Sequence, residues 1–203
     1  MKLYYLPGAC SLADHIVLEW IGQPYETYRV AREELGSPEY LRINPSGAVP
    51  ALQEDDGWVL TENAAILNYL ADKFPEAKLG GDGSLRGRAE ANRWLAYINS
   101  DLHPLYKPVF RPDRFIEDEA AQETLRRNAV LRLRGYYERL DAQLVGKDWL
   151  AGSRSFVDPY LFVVNRWAIA KGVDLDGLDQ LTRFQQRMLE DVGVTAAMQQ
   201  EGL

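Results

Sequence analysis

Four places in this chain carry residue types that do chemistry at spacings that would aim them. The first is Cys10, the only cysteine, in the stretch LPGACSLADH. Ser11 with Asp14 three residues on has the form of an N-terminal capping box, which predicts a helix capped by Ser11 with Cys10 just before it. Unpaired N–H groups at such an end carry partial positive charge. They favour thiolate over thiol and lower a cysteine pKa by about a unit or more from about 8.5. Cys10 is then a nucleophile or a thiol-binding residue. Free cysteine is also often a small buried hydrophobe, and position alone leaves both readings open.

The second place is Thr61-Glu62-Asn63, where a strand-like run passes into a helical one. N–H groups at that helix start make an anion site, a simple cap, or both. The third is His103, on a helical row with Asn92, Ala96 and Asn99 beside an apolar stripe, the pattern of a cleft wall. A lone helical histidine is more often structural or exposed. The fourth, Val49-Pro50, reads from its residues alone as an ordinary proline turn. Ser155 and Asp158 form a second capping box, read as structural.

These residues need elements to position them. KLYYL reads as a strand ended by Pro7-Gly8, LADHIVLEWIG as a helix stopped at Gly22, and YETYRV as a second strand. SPEYLRIN is a short helix with Pro38 in its first turn. ALQE and WVLT flank the Asp55-Asp56-Gly57 hairpin signal, and ENAAILNYLADKF is again helical. The order βαβ–α–ββα predicts a small α/β domain with a mixed sheet, over residues 1–78. Gly80, Gly81 and Gly83 mark a linker. Residues 86–203 read as an all-helical bundle. One stripe is Ala91, Leu95, Ile98 and Leu102; another is Leu125, Ala129, Leu133, Tyr136, Leu140 and Leu144. DPYLFVVNRWAIA is apolar nearly all round and predicts the buried central helix, and Leu181, Phe184 and Met188 mark a further one.

At 203 residues, 46% hydrophobic and 26% charged, the chain reads as an ordinary globular protein with a substantial core. A net charge of −7 without any long Lys/Arg run argues against a nucleic-acid partner. No apolar run has the length of a membrane span, and the first residues lack a signal peptide's apolar region. One cysteine makes no internal disulfide, which fits a reducing cytoplasm. One cysteine and two histidines far apart give no zinc-ligand pattern.

Several stretches, in order and at family spacing, resemble the glutathione transferases, most closely the bacterial beta class. They are MKLYYLPGACSLADHIVL, NPSGAVPAL, LTENAAILNYLAD, WLAYINSDLHPLYKPVFRPD, SFVDPYLFVVNRWA and the closing EGL. The resemblance covers the whole chain. It implies a thioredoxin-like domain with a mixed four-stranded sheet followed by an all-helical domain. It also implies a homodimer, glutathione as co-substrate, no metal, and a small hydrophobic electrophile as the other partner.

The resemblance assigns roles residue by residue. Val49 would precede a cis Pro50 and pair with the cysteinyl backbone of glutathione. Glu62 and Asn63 would hold the γ-glutamyl carboxylate; the family's usual second residue is Ser or Gly, and Asn63 would donate through its amide and its backbone N–H. Cys10 takes the place of the Tyr or Ser of other classes, and His103 would hydrogen-bond near the glutathione sulfur. Ser100 and Asp101 would reach glutathione across a dimer interface, and Arg32 would meet the glycyl carboxylate. The family commonly follows the histidine with lysine; Pro104 here removes one cation. Trp167, Tyr106 and Phe110 are candidates for lining the electrophile site. Three functions compete: a conjugating glutathione transferase, a glutathione-dependent thiol reductase or lyase using Cys10, and a non-catalytic glutathione or hydrophobic-ligand binder.

Overall fold

The computed structural model describes residues 1–203. Four strands form one mixed sheet in the order β2-β1-β3-β4. They are β1 (Lys2–Tyr5), β2 (Glu26–Arg29), β3 (Ala51–Gln53) and β4 (Val59–Thr61). β1 runs parallel to β2 and antiparallel to β3, and β3 pairs antiparallel with β4 through the Asp55-Asp56-Gly57 turn. The element order and the mixed sheet match the sequence pattern. β2 is shorter than YETYRV and keeps all four residues exposed at the sheet edge.

Helix α1 (Ser11–Ile21) covers the sheet, with α2 (Pro38–Ile43) and α3 (Asn63–Lys73) completing the first unit. Leu3 and Tyr5 alternate into the core, and Leu12, Ala13, Ile16 and Val17 meet them from α1. Burying each large apolar side chain stabilises by about 1.5–3 kcal/mol. Gly22 ends α1 with a φ of 71° and returns its N–H to Leu18 O, the left-handed turn that glycine adopts without strain.

The second unit is helical: α4 (Leu85–Ala96), α5 (Lys107–Phe110), α6 (Glu119–Gln143), α7 (Val157–Ala170), α8 (Asp179–Glu190) and α9 (Val192–Glu201). The glycine-rich linker is packed down rather than loose: Phe156 N–H donates to Leu79 O at 2.9 Å, and a Cβ on Gly81 would meet the Gly87 backbone at 2.7 Å. The α4 stripe Ala91, Leu95, Ile98 and Leu102 is buried, as is nearly all of α7. In α6 the buried ring belongs to Tyr137, not Tyr136, because the row Leu133, Tyr137, Leu140, Leu144 keeps one face inward. Helix α9 packs on α1. Its N-cap Asp191 accepts from Gly193 and Val194 N–H and from the Trp20 indole.

The second capping box is half formed. Asp158 Oδ2 accepts from Ser155 N–H at 2.8 Å, and Oδ1 accepts from Leu150 N–H at 2.9 Å. The Ser155 hydroxyl donates to the carboxylate instead of capping the helix. Both residues are fully buried, and the role is structural, tying the 150s loop to α7.

No helix is long and apolar enough to cross a membrane.

Candidate active site

A cleft of about 480 Å³ lies where the two units meet. Its floor is the start of α1. Cys10 already has helical backbone angles (φ −59°, ψ −26°), and no side chain caps the helix. The expected Ser11–Asp14 capping box is therefore absent. Turn bonds from Leu12 N–H to Ala9 O and from Ala13 N–H to Cys10 O close the first turn without one. Ser11 instead turns back to the Leu6 backbone, donating to its carbonyl at 3.4 Å.

One wall is the loop before β3. The Asn44 amide and the Tyr40 hydroxyl both donate to Ala48 O at 2.7 Å, which fixes the approach to a cis Val49–Pro50 bond. The Val49 N–H has no partner within the chain, and its carbonyl accepts the Cys10 thiol at 3.5 Å. An unpaired N–H beside a carbonyl, both facing a cleft, is an open strand edge.

The start of α3 forms the next wall. Glu62 has φ 73°, a backbone position that costs on the order of 1–3 kcal/mol for a residue with a side chain. It leaves the N–H groups of Asn63 and Ala64 without intrachain acceptors, a local anion site. The Asn63 side-chain amide, expected to donate to a ligand, is instead spent within the chain. It is buried, and its amide, oriented with nitrogen toward Asp14, donates to Oδ2 at 2.7 Å and Oδ1 at 3.2 Å.

The helical unit supplies the last wall. After Ala96 the helix widens into a π-turn over Tyr97–Leu102, and His103 N–H returns to Ile98 O. Pro104 explains the widening: it has no N–H for the carbonyl four residues back, and its ring crowds that position. The wider turn presents Asn99 and His103 to the cleft. His103 Nδ1 lies 2.5 Å from the Tyr160 hydroxyl, and the ring packs edge-on against Trp167 at 4.9 Å between centroids. Trp167 in turn donates its indole N–H to Gly8 O at 2.8 Å, joining the helical unit to the loop that carries Cys10.

Burial wins over the helix end at Cys10. The Cys10 and Ser11 N–H groups pull the thiol pKa down, but burial first and the Asp14 carboxyl second push it up to about 12. The expected lowering is thus reversed. His103 moves the opposite way: burial, then Lys107, lower it to about 4. The imidazole is neutral near pH 7 and can give or take one hydrogen bond at its free nitrogen.

Cys10, Val49, Pro50, Glu62, Asn63 and His103 come together in the cleft. Arg32, Ser100 and Asp101 do not line it. Arg32 opens an exposed 3-10 turn, and Ser100 and Asp101 lie exposed on the π-turn. Of the aromatic trio, Tyr106 is core, donating to Val164 O at 3.2 Å, while Trp167 and the 40% exposed Phe110 stay near the surface. Sequence reading missed Asp14, Tyr160 and Lys107. Asp14 passed for a capping residue and Tyr160 sits in an apolar helix. Lys107 lies one turn beyond His103, where it restores the cation that Pro104 removes.

Comparisons agree along the whole chain. The model of the glutathione S-transferase N-terminal domain matches residues 14–78, and that of the C-terminal domain matches residues 94–191. The chain is 53% identical to glutathione S-transferase GST-4.5 of Xanthomonas campestris pv. campestris, covering 100% of both. A solved glutathione S-transferase from Xylella fastidiosa superposes with a TM-score of 0.95 at 51% identity, over 100% of this chain and 98% of that one. A bacterial beta class glutathione S-transferase from Sphingomonas chungbukensis superposes at 0.87 with 35% identity over 100% of both chains.

Proposed function

The chain belongs to the glutathione S-transferase family, and from that premise we propose that its cleft binds glutathione and transfers the glutathione sulfur to a small hydrophobic electrophile. The observation that carries this reading is the convergence of the Val49 edge, the open N–H groups of α3 and His103 on one cavity. The cysteinyl backbone of glutathione pairs with the Val49 N–H by strand addition. The γ-glutamyl carboxylate sits on the Asn63 and Ala64 N–H groups beside Glu62. Lys107 is the cation within the cleft; Arg32 reaches the glycyl end only if its turn bends inward.

His103 meets the sulfur. The short contact to Tyr160 is read as the phenol donating to Nδ1, which leaves the ring proton on Nε2. Nε2–H then donates to the glutathione thiolate and lowers the thiol pKa, while the thiol proton passes to water. The thiolate attacks the electrophilic carbon, the new C–S bond forms, and the leaving group departs with its electron pair. Trp167 packs against His103 and Phe110 packs edge-on against Trp167, and these rings are the apolar surface we assign to the electrophile. Cys10 lies close enough to compete for disulfide chemistry, but a thiol held near pKa 12 is a poor nucleophile at pH 7. The working protein is a cytoplasmic homodimer used in detoxification, with the exposed Ser100 and Asp101 turned to a second copy's cleft.

The test is turnover with a chloro-nitrobenzene electrophile and with a glutathione mixed disulfide, for wild type, Cys10→Ala and His103→Ala. Conjugation falls at least about ten-fold in His103→Ala and less than that in Cys10→Ala. Disulfide reduction lost with Cys10, and no conjugation in any form, would install the reductase reading. Saturable glutathione binding with no turnover would install the carrier reading.

A further inference from the structure

The sheet has a second face that the reaction above does not use. Leu3 and Tyr5 point into the core, so Lys2 and Tyr4 point the other way, toward α2. β1 lies in register with β2, which sets Lys2 opposite Glu26 and Tyr4 opposite Tyr28. Helix α2 has six residues and buries only Tyr40, so it roofs part of this face and no more. A pocket of about 300 Å³ remains, lined by Tyr4, Tyr28, Tyr40, Val30 and Ile43. That volume is at the small end of the range for small-molecule sites, about 300–1,000 Å³. The Tyr4 ring centroid stands 5.5 Å from that of Tyr28 at a tilt of 46°, and 6.2 Å from that of Tyr40 at 56°. Rings so inclined are adjoining walls, not a stack.

We propose that this pocket is an aromatic cage for a small quaternary ammonium ion of the choline type. Such an ion has no N–H to donate, and its charge is spread over its alkyl groups; ring faces and a negative field hold it. The pocket supplies both. All three tyrosine hydroxyls donate within the chain: Tyr4 to Gln53 Oε1 at 2.9 Å, Tyr40 to Ala48 O at 2.7 Å and Tyr28 to Glu34 Oε1 at 3.4 Å. The rings therefore offer their π faces and no free hydroxyl proton. Two carboxylates, Glu34 and Glu39, line the same pocket. Glu34 is fixed there, because its Oε2 accepts from Ala31 N–H at 2.7 Å. The one cation in the lining, Lys2, already pairs with Glu26 at 3.0 Å. Glu39 lies 3.6 Å from Arg42, a pair exposed on both sides and worth little. An anion meets two carboxylates here, and a neutral apolar molecule gains nothing from them. Nothing in the cage requires the cleft to hold glutathione.

The experiment uses the full chain without glutathione. Choline chloride is titrated into isotope-labelled protein and the backbone amide shifts are followed by NMR. The neutral isostere 3,3-dimethylbutan-1-ol, with carbon in place of nitrogen, is titrated in parallel. Choline gives saturable shifts centred on Tyr4, Tyr28, Glu34 and Tyr40, and the alcohol binds at least about five-fold more weakly. Tyr28 is 45% exposed, so shortening it leaves the core intact. Tyr28→Ala weakens choline at least about five-fold, and Tyr28→Phe, which keeps the ring face, stays within about three-fold of wild type. Glu34→Gln, which keeps an acceptor for Ala31, weakens choline about two- to five-fold at low salt. Tyr40 is left unchanged, because its hydroxyl holds the loop before Val49. Equal binding of choline and the alcohol would overturn the proposal, and that comparison needs no variant. So would shifts centred elsewhere, no saturation by about 100 mM choline, or full affinity in Tyr28→Ala.

Discussion

His103 Nδ1 and the Tyr160 hydroxyl oxygen stand 2.5 Å apart, a contact that joins the segment after α4 to α7 and fixes the imidazole's rotation. The Tyr160 hydroxyl also reaches Asn99 Oδ1 at 3.3 Å, so its proton has two acceptors and the shorter one is the imidazole. Removing the hydroxyl frees the ring to change tautomer and turn its acceptor to the thiolate. Tyr160→Phe should lower kcat/KM for conjugation about ten-fold, with glutathione Kd changed by less than about three-fold. A loss carried wholly by Kd would show that Tyr160 holds glutathione instead.

The buried state of His103 sets a pH signature. Its folded pKa of about 4 lies below the unfolded value near 6.5. Stability is therefore whole above pH 6.5 and is lost as pH falls from 6.5 toward 4, because the unfolded chain binds the proton first. Unfolding free energies from urea titrations at pH 7 and pH 5 should differ by about 1–2 kcal/mol more in wild type than in His103→Gln. Any limb of the conjugation rate near pH 6.5 should then belong to the glutathione thiol and persist in His103→Gln at a higher pH, rather than report His103. An NMR titration placing His103 above 6 would contradict both.

Lys107 supplies the cleft's positive charge from one turn past His103. Glutathione carries a net negative charge at pH 7. Lys107 is exposed, so the attraction is screened and is worth about 0.5–1 kcal/mol. Lys107→Ala should raise the glutathione KM about two- to five-fold and leave kcat near wild type, the ratio shrinking in 0.5 M salt. An unchanged KM at low salt would remove Lys107 from the site.

The architecture was legible because periodicity is a long-range signal averaged over many residues. The β1-α1-β2 crossover, the hairpin at Gly57 and the all-apolar α7 each repeat their pattern several times. What escaped depends on single residues whose partners are distant in sequence. Ser11 and Asp14 have the spacing of a cap, yet the chain enters α1 through backbone turn bonds, so the serine bonds Leu6 and the aspartate bonds Asn63. Helix α9 lacks a strong apolar face and shows itself only against α1. The thiol pKa of Cys10 could be argued from a helix end alone in one direction; burial first, and the Asp14 carboxyl second, decide it in the other. The family motifs placed Cys10, Val49 and His103; Tyr160 and Lys107 lie inside the quoted stretches yet went unnamed, because one sits in an apolar helix and the other reads as a surface charge until the fold turns both to the cleft.

Asp158 should prove a keystone of the helical unit. Its carboxylate holds two buried backbone N–H groups, those of Leu150 and Ser155. Asp158→Ala strands both donors away from water, at about 1–3 kcal/mol each. Denaturant unfolding should show a loss of at least about 2 kcal/mol, with Asp158→Asn losing less because its amide oxygen still accepts. Equal losses in the two variants would mean that volume, not acceptance, is what matters.

Glu201 ties the chain's end to its beginning. It is 2% exposed; Oε1 lies 3.0 Å from His15 Nδ1, and Oε2 accepts from Gly8 N–H at 2.8 Å. Gly8 also receives the Trp167 indole on its carbonyl, so the two peptides flanking this one residue are gripped by α9 and α7 just ahead of Cys10. Glu201→Ala strips the buried His15 Nδ1 and the half-buried Gly8 N–H of their acceptor, while His15 Nε2 keeps Gln200 Oε1 at 2.7 Å; removing one side of such a buried pair costs about 3 kcal/mol. For a chain of this size, about 2–4 °C per kcal/mol translates to a Tm at least about 6 °C lower. Glu201→Gln keeps an acceptor for one of the two groups and should fall by less than half as much. The loosened Gly8 loop should also raise the glutathione KM in Glu201→Ala, since Cys10 and the start of α1 move with it. If both variants melted with wild type, the α9 clamp would carry no energy, and the position of Cys10 would be set by α1 and the sheet alone.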